Sequence, residues 1–164
     1  MGIEGRGTVV LTDAERTLLE GYAFHAFLET SVTAGSTAYF SFTTGNNSVI
    51  AVIQTFTVSD NILDIEFFEG ADISGGSDVN LFNKDRTDSK NSTVSIKNSP
   101  TVNSEGTKID KTRIGSVTIA NTVATGIING YLPWKLKPNT AYLVKFINSG
   151  SSDITVISRI SIFE

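Results

Sequence analysis

The residue types that most often carry acid–base or metal chemistry are sparse in this 164-residue chain, which has one histidine and no cysteine. Without cysteine, the sequence offers no thiol catalysis, no Cys-ligated zinc and no disulfide. A catalytic or metal-binding histidine needs a partner group nearby, but His25 lies opposite the apolar face of an alternating stretch. We therefore expect His25 to be an ordinary solvent-facing or interface residue.

Carboxylates are the next candidates, because a pair of them can hydrolyse glycosides. Asp64 and Glu66 are two residues apart and would share one face of a strand. A glycosidase pair normally comes from different elements across a cleft, so we interpret this pair as a solvated strand face. The acidic loops at 72–78 and 85–88 lack the dense alternation of a calcium loop, although a weak ion there is left open. The sequence thus predicts no catalytic, metal-binding or cofactor-binding residue, no cofactor and no enzyme activity.

An aromatic pair, Tyr131 and Trp134, is the remaining candidate for ligand contact. Such a pair marks either a binding hot spot or a platform for a sugar ring. The alternative is a tryptophan that packs on one edge of a sandwich and donates its N–H to a backbone carbonyl. We favour the packing role for Trp134.

The charge and hydropathy of the chain restrict its partners. The net charge is −4, the pI is about 5.0, and the basic residues form no cluster along the sequence. A nucleic-acid interface needs concentrated positive charge, so we expect no nucleic-acid binding. No apolar run reaches the roughly 18 residues of a membrane-spanning helix, and no secretory signal pattern is visible, so we expect no membrane association. Residues 3–6 match a protease site common in expression vectors, and residues 1–7 are therefore either a cloning remnant or native sequence.

The elements that must position any such residue are strands, because apolar and polar residues alternate along most of the chain. The clearest strand is 62–69, in which three apolar residues point to the core while Asp64 and Glu66 point to water. Thr12–Glu15 has capping-box spacing, but we favour an ordered arm there over a helix of one or two turns. The long predicted strands are 22–30, 38–42, 49–58, 62–69, 141–148 and 153–163, and the predicted turns are 45–48, 59–61, 137–139 and 149–152.

Residues 70–130 are dominated by small and polar residues and predict looser structure. Few apolar side chains would anchor this backbone, so we expect higher mobility there. The predicted short strands are 79–82, 93–97 and 116–120, and the predicted polar loops are 70–92 and 98–115.

About eight strands with regularly spaced turns predict an all-β, single-domain protein. We expect a jelly-roll-like antiparallel β-sandwich over residues 21–164, preceded by an N-terminal arm over residues 1–20. Neither an internal repeat nor a low-complexity segment competes with this prediction.

Several separated segments carry a recognisable series of residues. In the C-terminal third these residues are Trp134, Leu136, Pro138, Asn139, Thr140 and Tyr142, followed by a turn at Asn148 and a final Phe163-Glu164. Upstream, Asn83–Arg86 forms a polar loop, and the segments 100–107 and 18–24 also fit the series. In order and spacing, residues 12–164 resemble small virion proteins of tailed bacteriophages and prophages. Lys84 and Asp85 depart from the basic and amide residues usual in that loop.

The resemblance implies an accessory virion protein with a jelly-roll fold, most simply a decoration or cement protein on the assembled capsid. It implies the major capsid protein as partner, a location on the capsid surface, and assembly in the host cytoplasm. A homo-oligomer, either trimer or dimer, is expected because covered edge strands avoid open-ended aggregation. The arm at 8–20 and the two polar loops are the expected contacts with the lattice.

No catalytic residue is carried over from the resemblance, and its motif residues are predicted to be structural or interface residues. Three alternatives stay open: a carbohydrate-binding module of a head or tail fibre, a tail or adaptor component, and a hydrolase. In the first of these, Tyr131 and Trp134 would stack on sugar. The motif residues are Asn83, Arg86, Trp134, Pro138, Asn139, Tyr142, Asn148 and Glu164.

Overall fold

The computed structural model describes residues 13–58, 62–115, 123–127 and 133–164. This part of the chain contains one short helix and fourteen strands, and all the strand pairs are antiparallel. The predicted turn at 59–61 and the predicted strand at 116–120 lie outside the described residues. The elements are α1 (Asp13–Leu19), β1 (Ala23–Val32), β2 (Thr37–Thr43), β3 (Val49–Val58), β4 (Leu63–Glu69), β5 (Asp72–Ser74), β6 (Ser77–Val79), β7 (Phe82–Asn83), β8 (Ser95–Asn98), β9 (Thr101–Ser104), β10 (Thr107–Ile114), β11 (Val123–Ile127), β12 (Trp134–Leu136), β13 (Ala141–Asn148) and β14 (Ile154–Phe163).

Eight of these strands wrap into a jelly roll, in which the first strand pairs with the last and each inner strand with its counterpart. β1 pairs with β14, β2 with β13, β3 with β11, and β4 with β10. Two further pairings, of β14 with β3 and of β13 with β4, complete the sheets. The first sheet has the order β11-β3-β14-β1-β7, with β12 also on β3, and the second has the order β10-β4-β13-β2-β8-β6. The predicted antiparallel jelly-roll sandwich is therefore confirmed.

The chain between β4 and β10 is an insertion that carries five short strands. β7 joins β1 in the first sheet, whereas β8 and β6 extend the second sheet beyond β2. β5 and β9 form a separate two-stranded sheet. The predicted strand at 79–82 is replaced by the two short strands β6 and β7, and the strand predicted at 93–97 corresponds to β8.

The prediction of long polar loops at 70–92 and 98–115 is wrong for much of both segments. β10 alone occupies eight of the residues assigned to the second loop. Most of its side chains are at least partly exposed, so the strand lacks the apolar alternation from which the other strands were predicted. Backbone pairing with β4, which a single strand's sequence does not reveal, is what orders it.

The core lies between the two sheets and is formed by their inward-facing residues. Phe42, Phe67 and Tyr142 stack on one another, with ring centroids 5.4, 5.7 and 5.9 Å apart. Burying an aromatic or aliphatic side chain of this size stabilises the fold by roughly 1.5–3 kcal/mol. The predicted inward face of the last strand is confirmed, because its alternate residues are all buried. These residues are Ile154, Val156, Ser158, Ile160 and Ile162.

The described part of the predicted arm folds into α1, so the favoured interpretation without a helix is wrong for residues 13–19. The helix ends at a corner, where the N–H of Gly21 donates to the Leu18 carbonyl at 3.1 Å. Gly21 has a φ of +75°, and a Cβ there would collide with the Asp88 carboxylate. Glycine is therefore required for the chain to turn from α1 into β1.

Candidate functional site

The outer face of the second sheet is largely covered by the protein itself. Phe68 and Leu143 point outward from β4 and β13 and are covered by Ile73 and Val102 of the small β5–β9 sheet. The remainder of this face is occupied by a network of ion pairs. The second sheet thus offers little free apolar surface for a partner.

The two carboxylates considered for glycoside hydrolysis are buried in this network, which corrects the prediction of a solvated face. Asp64 and Glu66 are each 5% exposed, because β10 places long basic side chains over them. Arg113 Nε and Nη2 donate to the two Asp64 oxygens at 2.5 and 2.8 Å. Lys108 Nζ lies 2.6 Å from Glu66, and Lys111 Nζ lies 3.3 Å from both carboxylates.

The basic side chains also fix the protonation state of these carboxylates. The hydrogen bonds from Arg113 hold the pKa of Asp64 below its ordinary value. Burial alone would raise the pKa of Glu66, but the hydrogen bonds from Lys108 and Lys111 outweigh it and lower the pKa. Both groups are therefore ionised and paired at neutral pH, so neither is arranged as a general acid.

The outer face of the first sheet carries exposed apolar side chains on β1 and β14 and the half-buried Phe56 on the neighbouring β3. Phe27 is 62% exposed and Ile157 is 42% exposed, and Ile157 lies directly opposite Phe56. Large apolar side chains that are exposed together mark an interaction surface. We call Phe27, Phe56 and Ile157 the apolar strip.

A groove of about 460 Å³ runs beside the apolar strip. It lies between the loop after β7 and the outward-facing residues of β1, β14 and β3. The Lys84 ammonium donates to the Ser161 hydroxyl at 3.1 Å, which ties that loop to β14. We call this feature the cationic groove. Its walls include His25, Gln54, Phe82, Lys84, Arg86 and Arg159.

The positive charge of the cationic groove is not neutralised by the described part of the chain. Lys84, Arg86 and Arg159 form no ion pair among the described residues. Each instead lies over an aromatic ring, at 5.2, 5.8 and 5.3 Å from the ring centroid. Partial burial beside the sheet lowers the pKa of Lys84, and partial burial together with the charges of Lys84 and Arg159 lowers the pKa of His25. The groove therefore favours an anionic ligand.

The sequence prediction named His25, Asn83 and Arg86 as solvent-facing, structural or interface residues, but it missed the other residues of this face. Phe27 and Arg159 alternate with buried neighbours on predicted strands, and their outward positions follow from the same pattern that gives the core. A phenylalanine at an outward position was the available signal. That Lys84 joins them depends on the path of the loop, which the sequence pattern does not give.

Tyr142, one of the motif residues, lies in the core, and its hydroxyl stabilises a turn. It is fully buried, and its hydroxyl accepts a hydrogen bond from the Lys137 N–H at 2.8 Å and donates one to Glu69 at 3.1 Å. Burial, together with the hydrogen bond to Glu69, raises the pKa of Tyr142 to about 12. The hydroxyl is therefore a permanent donor that links the turn after β12 to the end of β4.

Three further motif residues also shape turns. Pro138 is exposed, and Asn139, with a φ of +49°, donates its N–H to the Gly45 carbonyl at 2.7 Å. At the opposite end of the sandwich, the buried Asn148 amide donates to the Val32 and Ser152 carbonyls at 3.0 and 2.8 Å. These contacts give the motif a structural explanation that requires no ligand.

The loop beside the cationic groove is held by hydrogen bonds of three motif residues, Asn83, Arg86 and Glu164. The buried Asn83 amide donates to the Gly21 carbonyl at 3.0 Å, and Arg86 donates to the Asn83 carbonyl at 3.4 Å. The Glu164 carboxylate accepts from the Thr93 N–H at 3.0 Å. Of the motif residues, only Asn83 and Arg86 line the groove.

Trp134 lies on one edge of the core. It is half-buried, and its ring meets Phe67 edge-on with centroids 5.8 Å apart. Its buried Nε1 has no acceptor within the described part of the chain, in contrast to the expected carbonyl. Tyr131 lies outside the described residues. Because the Trp134 ring contacts the core, it does not form a free platform for a sugar.

The acidic loop at 85–88 uses its carboxylates to hold its own turns. Asp85 accepts hydrogen bonds from the Thr87 N–H and hydroxyl at 2.9 and 2.7 Å, and the hydroxyl contact is the first cause of its lowered pKa. Within the described ranges, no three His, Cys, Asp or Glu side chains are grouped closely enough to hold a metal ion. Nor does any described helix have the length and hydropathy to cross a membrane.

Neither a protein-family model nor a curated protein matches the chain.

Proposed function

We propose that the chain is a structural binding protein of a tailed-phage virion, and specifically a decoration protein that binds the assembled capsid. The observation that carries the proposal is the exposed apolar and cationic outer face of the first sheet, on an otherwise closed jelly roll. The sequence resemblance to small virion proteins supports the same conclusion. The proposed partner is the major capsid protein, and the proposed location is the capsid surface.

A decoration protein stabilises a capsid because it binds the assembled lattice and not the separate subunits, so assembly is favoured by mass action. Contacts with two or more capsid subunits would act together, and each contact then needs only modest affinity. A trimer or dimer of the chain would multiply these contacts further. The outer face of the first sheet suits this role because it presents apolar side chains on a rigid base.

The proposal is tested by co-sedimentation of the purified chain with capsids of the phage or prophage whose genome encodes it. We expect saturable binding at a fixed number of copies per capsid subunit. The variant Phe27→Ser should weaken this binding at least about tenfold while the circular dichroism spectrum stays unchanged. Absence of the chain from the capsid pellet at saturating concentration would refute the proposal.

Two further measurements test whether the sheet or the arm contacts the capsid, and whether the protein lies on the head or on the tail. Leu19→Ser removes an exposed apolar side chain from α1, and a loss of binding in this variant alone would move the contact from the sheet to the arm. Gold-labelled antibodies on intact virions should mark the head. Labelling confined to the tail would replace the capsid proposal with the tail or adaptor alternative.

A further inference from the structure

The basic side chains of the two sheets differ in whether they form ion pairs. On the second sheet each lysine or arginine reaches a carboxylate, whereas the groove cations, which are Arg159 on the first sheet and Lys84 and Arg86 in the loop beside it, form no ion pair within the described residues. The chain as a whole has a net charge of −4, so this positive region is not a consequence of overall composition. The paired residues of the second sheet are Lys97, Lys108, Lys111, Arg113 and Lys145, at 2.5–3.3 Å from their carboxylates.

The cations of the groove are held in place without a carboxylate partner. Arg159 lies over the Phe56 ring and faces Gln54 across the sheet, while Lys84 is fixed by Ser161. An arginine on an aromatic ring keeps its planar N–H groups free for a second partner. The groove therefore presents several oriented donors whose natural acceptors are carboxylate or phosphate oxygens.

The apolar strip favours a carboxylate ligand over a phosphate ligand. Arg159 is the direct cross-strand neighbour of Phe27, and the strip begins where the groove ends. A free phosphate has no apolar part to bury on the strip, and a chain with a net charge of −4 and no extended basic stripe is a poor nucleic-acid binder. A peptide that carries a run of acidic residues followed by apolar residues fits both features at once, because the groove and the strip lie side by side on one face of the sheet.

We propose that the cationic groove and the apolar strip bind an acidic segment of a partner protein, with its carboxylates on the groove cations and an apolar side chain on the strip. That the partner is the capsid protein rests on the proposed function. That the ligand is acidic and partly apolar follows from the groove and the strip alone. Ion pairs that a partner protein shields from water are more selective than exposed ones, so cations without an ion pair among the described residues suit recognition of an acidic partner.

The binding chemistry is tested on the isolated chain by nuclear magnetic resonance titration with a Glu-Glu-Glu-Phe-Phe peptide. We expect saturable shifts of the backbone amide signals of His25, Gln54 and Arg159, with a dissociation constant of about 0.1–1 mM. Raising the sodium chloride concentration from about 50 to about 500 mM should weaken binding at least about tenfold. The same peptide with glutamine in place of glutamate should produce no saturable shift.

Charge-neutral variants assign the binding to the groove. Arg159→Gln and Lys84→Gln should each weaken peptide binding about tenfold, because each removes a charge-assisted hydrogen bond. Both side chains are exposed, so the fold should be retained. Lys97→Gln is the matched control: it removes the same charge from the second sheet, where the partner Asp78 is 80% exposed, and binding should stay within about twofold.

Three results would overturn the inference. These are equal binding of the glutamine peptide, equal weakening by Lys97→Gln, and the same saturable shifts with inorganic phosphate alone, which would indicate a small-anion site. The capsid assay separates this inference from the proposed function. Capsid binding that survives Arg159→Gln would refute the groove as the contact, and peptide binding without capsid binding would refute the capsid as the partner.

Discussion

At the scale of single residues, the motif residues singled out in the sequence mainly support the backbone of turns and loops. Asn83, Asn148 and Tyr142 are buried, and each satisfies backbone groups at a turn or loop. A buried backbone N–H or carbonyl without a partner costs about 1–3 kcal/mol, so one well-placed amide or hydroxyl can decide a loop conformation. The motif residues therefore account for the conformation of turns and loops. Binding of a partner must depend mainly on other residues.

Tyr142→Phe should lower the free energy of unfolding by about 1–2 kcal/mol. The variant keeps the ring stacked on Phe42 and Phe67 but leaves the Lys137 N–H without its acceptor. Urea unfolding followed by Trp134 fluorescence measures the change.

Tyr39→Phe is the matched control for this substitution. Among the described residues its hydroxyl accepts one exposed hydrogen bond, from Thr37 at 3.5 Å, so the loss should stay below about 0.5 kcal/mol. Equal losses in the two variants would mean that the Tyr142 hydroxyl adds nothing specific to the turn.

The residue scale is also where the sequence prediction was weakest. The alternation around Asp64 and Glu66 correctly placed them on the outer face, but it could not show that Lys108, Lys111 and Arg113 lie across from them. A single strand's pattern gives the side on which a residue lies, whereas its burial depends on the neighbouring strand. The Trp134 packing was correctly predicted, but its expected acceptor was not found within the described residues.

At the scale of elements, strands with strong apolar alternation were predictable and strands ordered by their neighbours were not. β3, β4, β13 and β14 agree with the predicted ranges to within one residue at each end. The short strands of the insertion contain little apolar pattern and are positioned by pairing and by tight corners. Gly106 forms one such corner between β9 and β10, with a φ of +79°.

Gly106→Ala should destabilise the protein by about 3 kcal/mol or more. The new Cβ would collide with the Glu69 carbonyl oxygen and would lie 2.7 Å from the Gly70 carbonyl carbon, and neither backbone group can move away without breaking the end of β4. Thermal unfolding measured by calorimetry gives the loss.

Gly35→Ala separates this collision from the strain of a positive φ. Gly35 has a φ of +66°, but nothing lies within 4 Å of the added Cβ. We expect a loss of only about 1–2 kcal/mol there. If the two variants unfold at the same temperature, the close approach of Gly106 to β4 is not important for stability.

At the scale of the whole molecule, charge is divided between the two faces of the sandwich. The basic side chains of the second sheet pair with carboxylates, whereas the cations of the groove beside the first sheet form no ion pair within the described residues. Asp64, Glu66 and Glu69 all have lowered pKa values in the folded protein, because Arg113, Lys108, Lys111 and Lys137 donate to them. The folded state therefore binds fewer protons than the unfolded state in mild acid.

Stability should consequently fall as the pH decreases below about 4.5. A carboxyl group with a lowered folded pKa contributes its full stability above its ordinary value, which is 4.5 for Glu66 and 3.8 for Asp64, and loses it as the pH falls towards the folded pKa. The free energy of urea unfolding measured between pH 7 and pH 2 tests this. Asp64→Asn should be less stable at pH 7 and should show a shallower acid decline.

His25→Gln is the control for the acid decline. The pKa of His25 is also lowered in the folded state, so its contribution is lost from its ordinary value of 6.5 downwards, above the range of the carboxyl groups. This variant should flatten the curve just below pH 6.5 and leave the decline of the carboxyl groups unchanged. If Asp64→Asn leaves the decline below pH 4.5 unchanged, the ion pairs over β4 are not its cause.

The position of β14 between β1 and β3 has a consequence for synthesis of the protein. A growing chain emerges from the ribosome at about 5–20 residues per second, and until residues 154–163 appear, β1 and β3 border a gap that no earlier strand fills. Two unpaired edges then face each other, and a strand from a second nascent chain fits the same gap. Interrupted translation before residue 154 would leave a product that is prone to exchange strands and precipitate, so soluble yield should depend on prompt completion of the final strand.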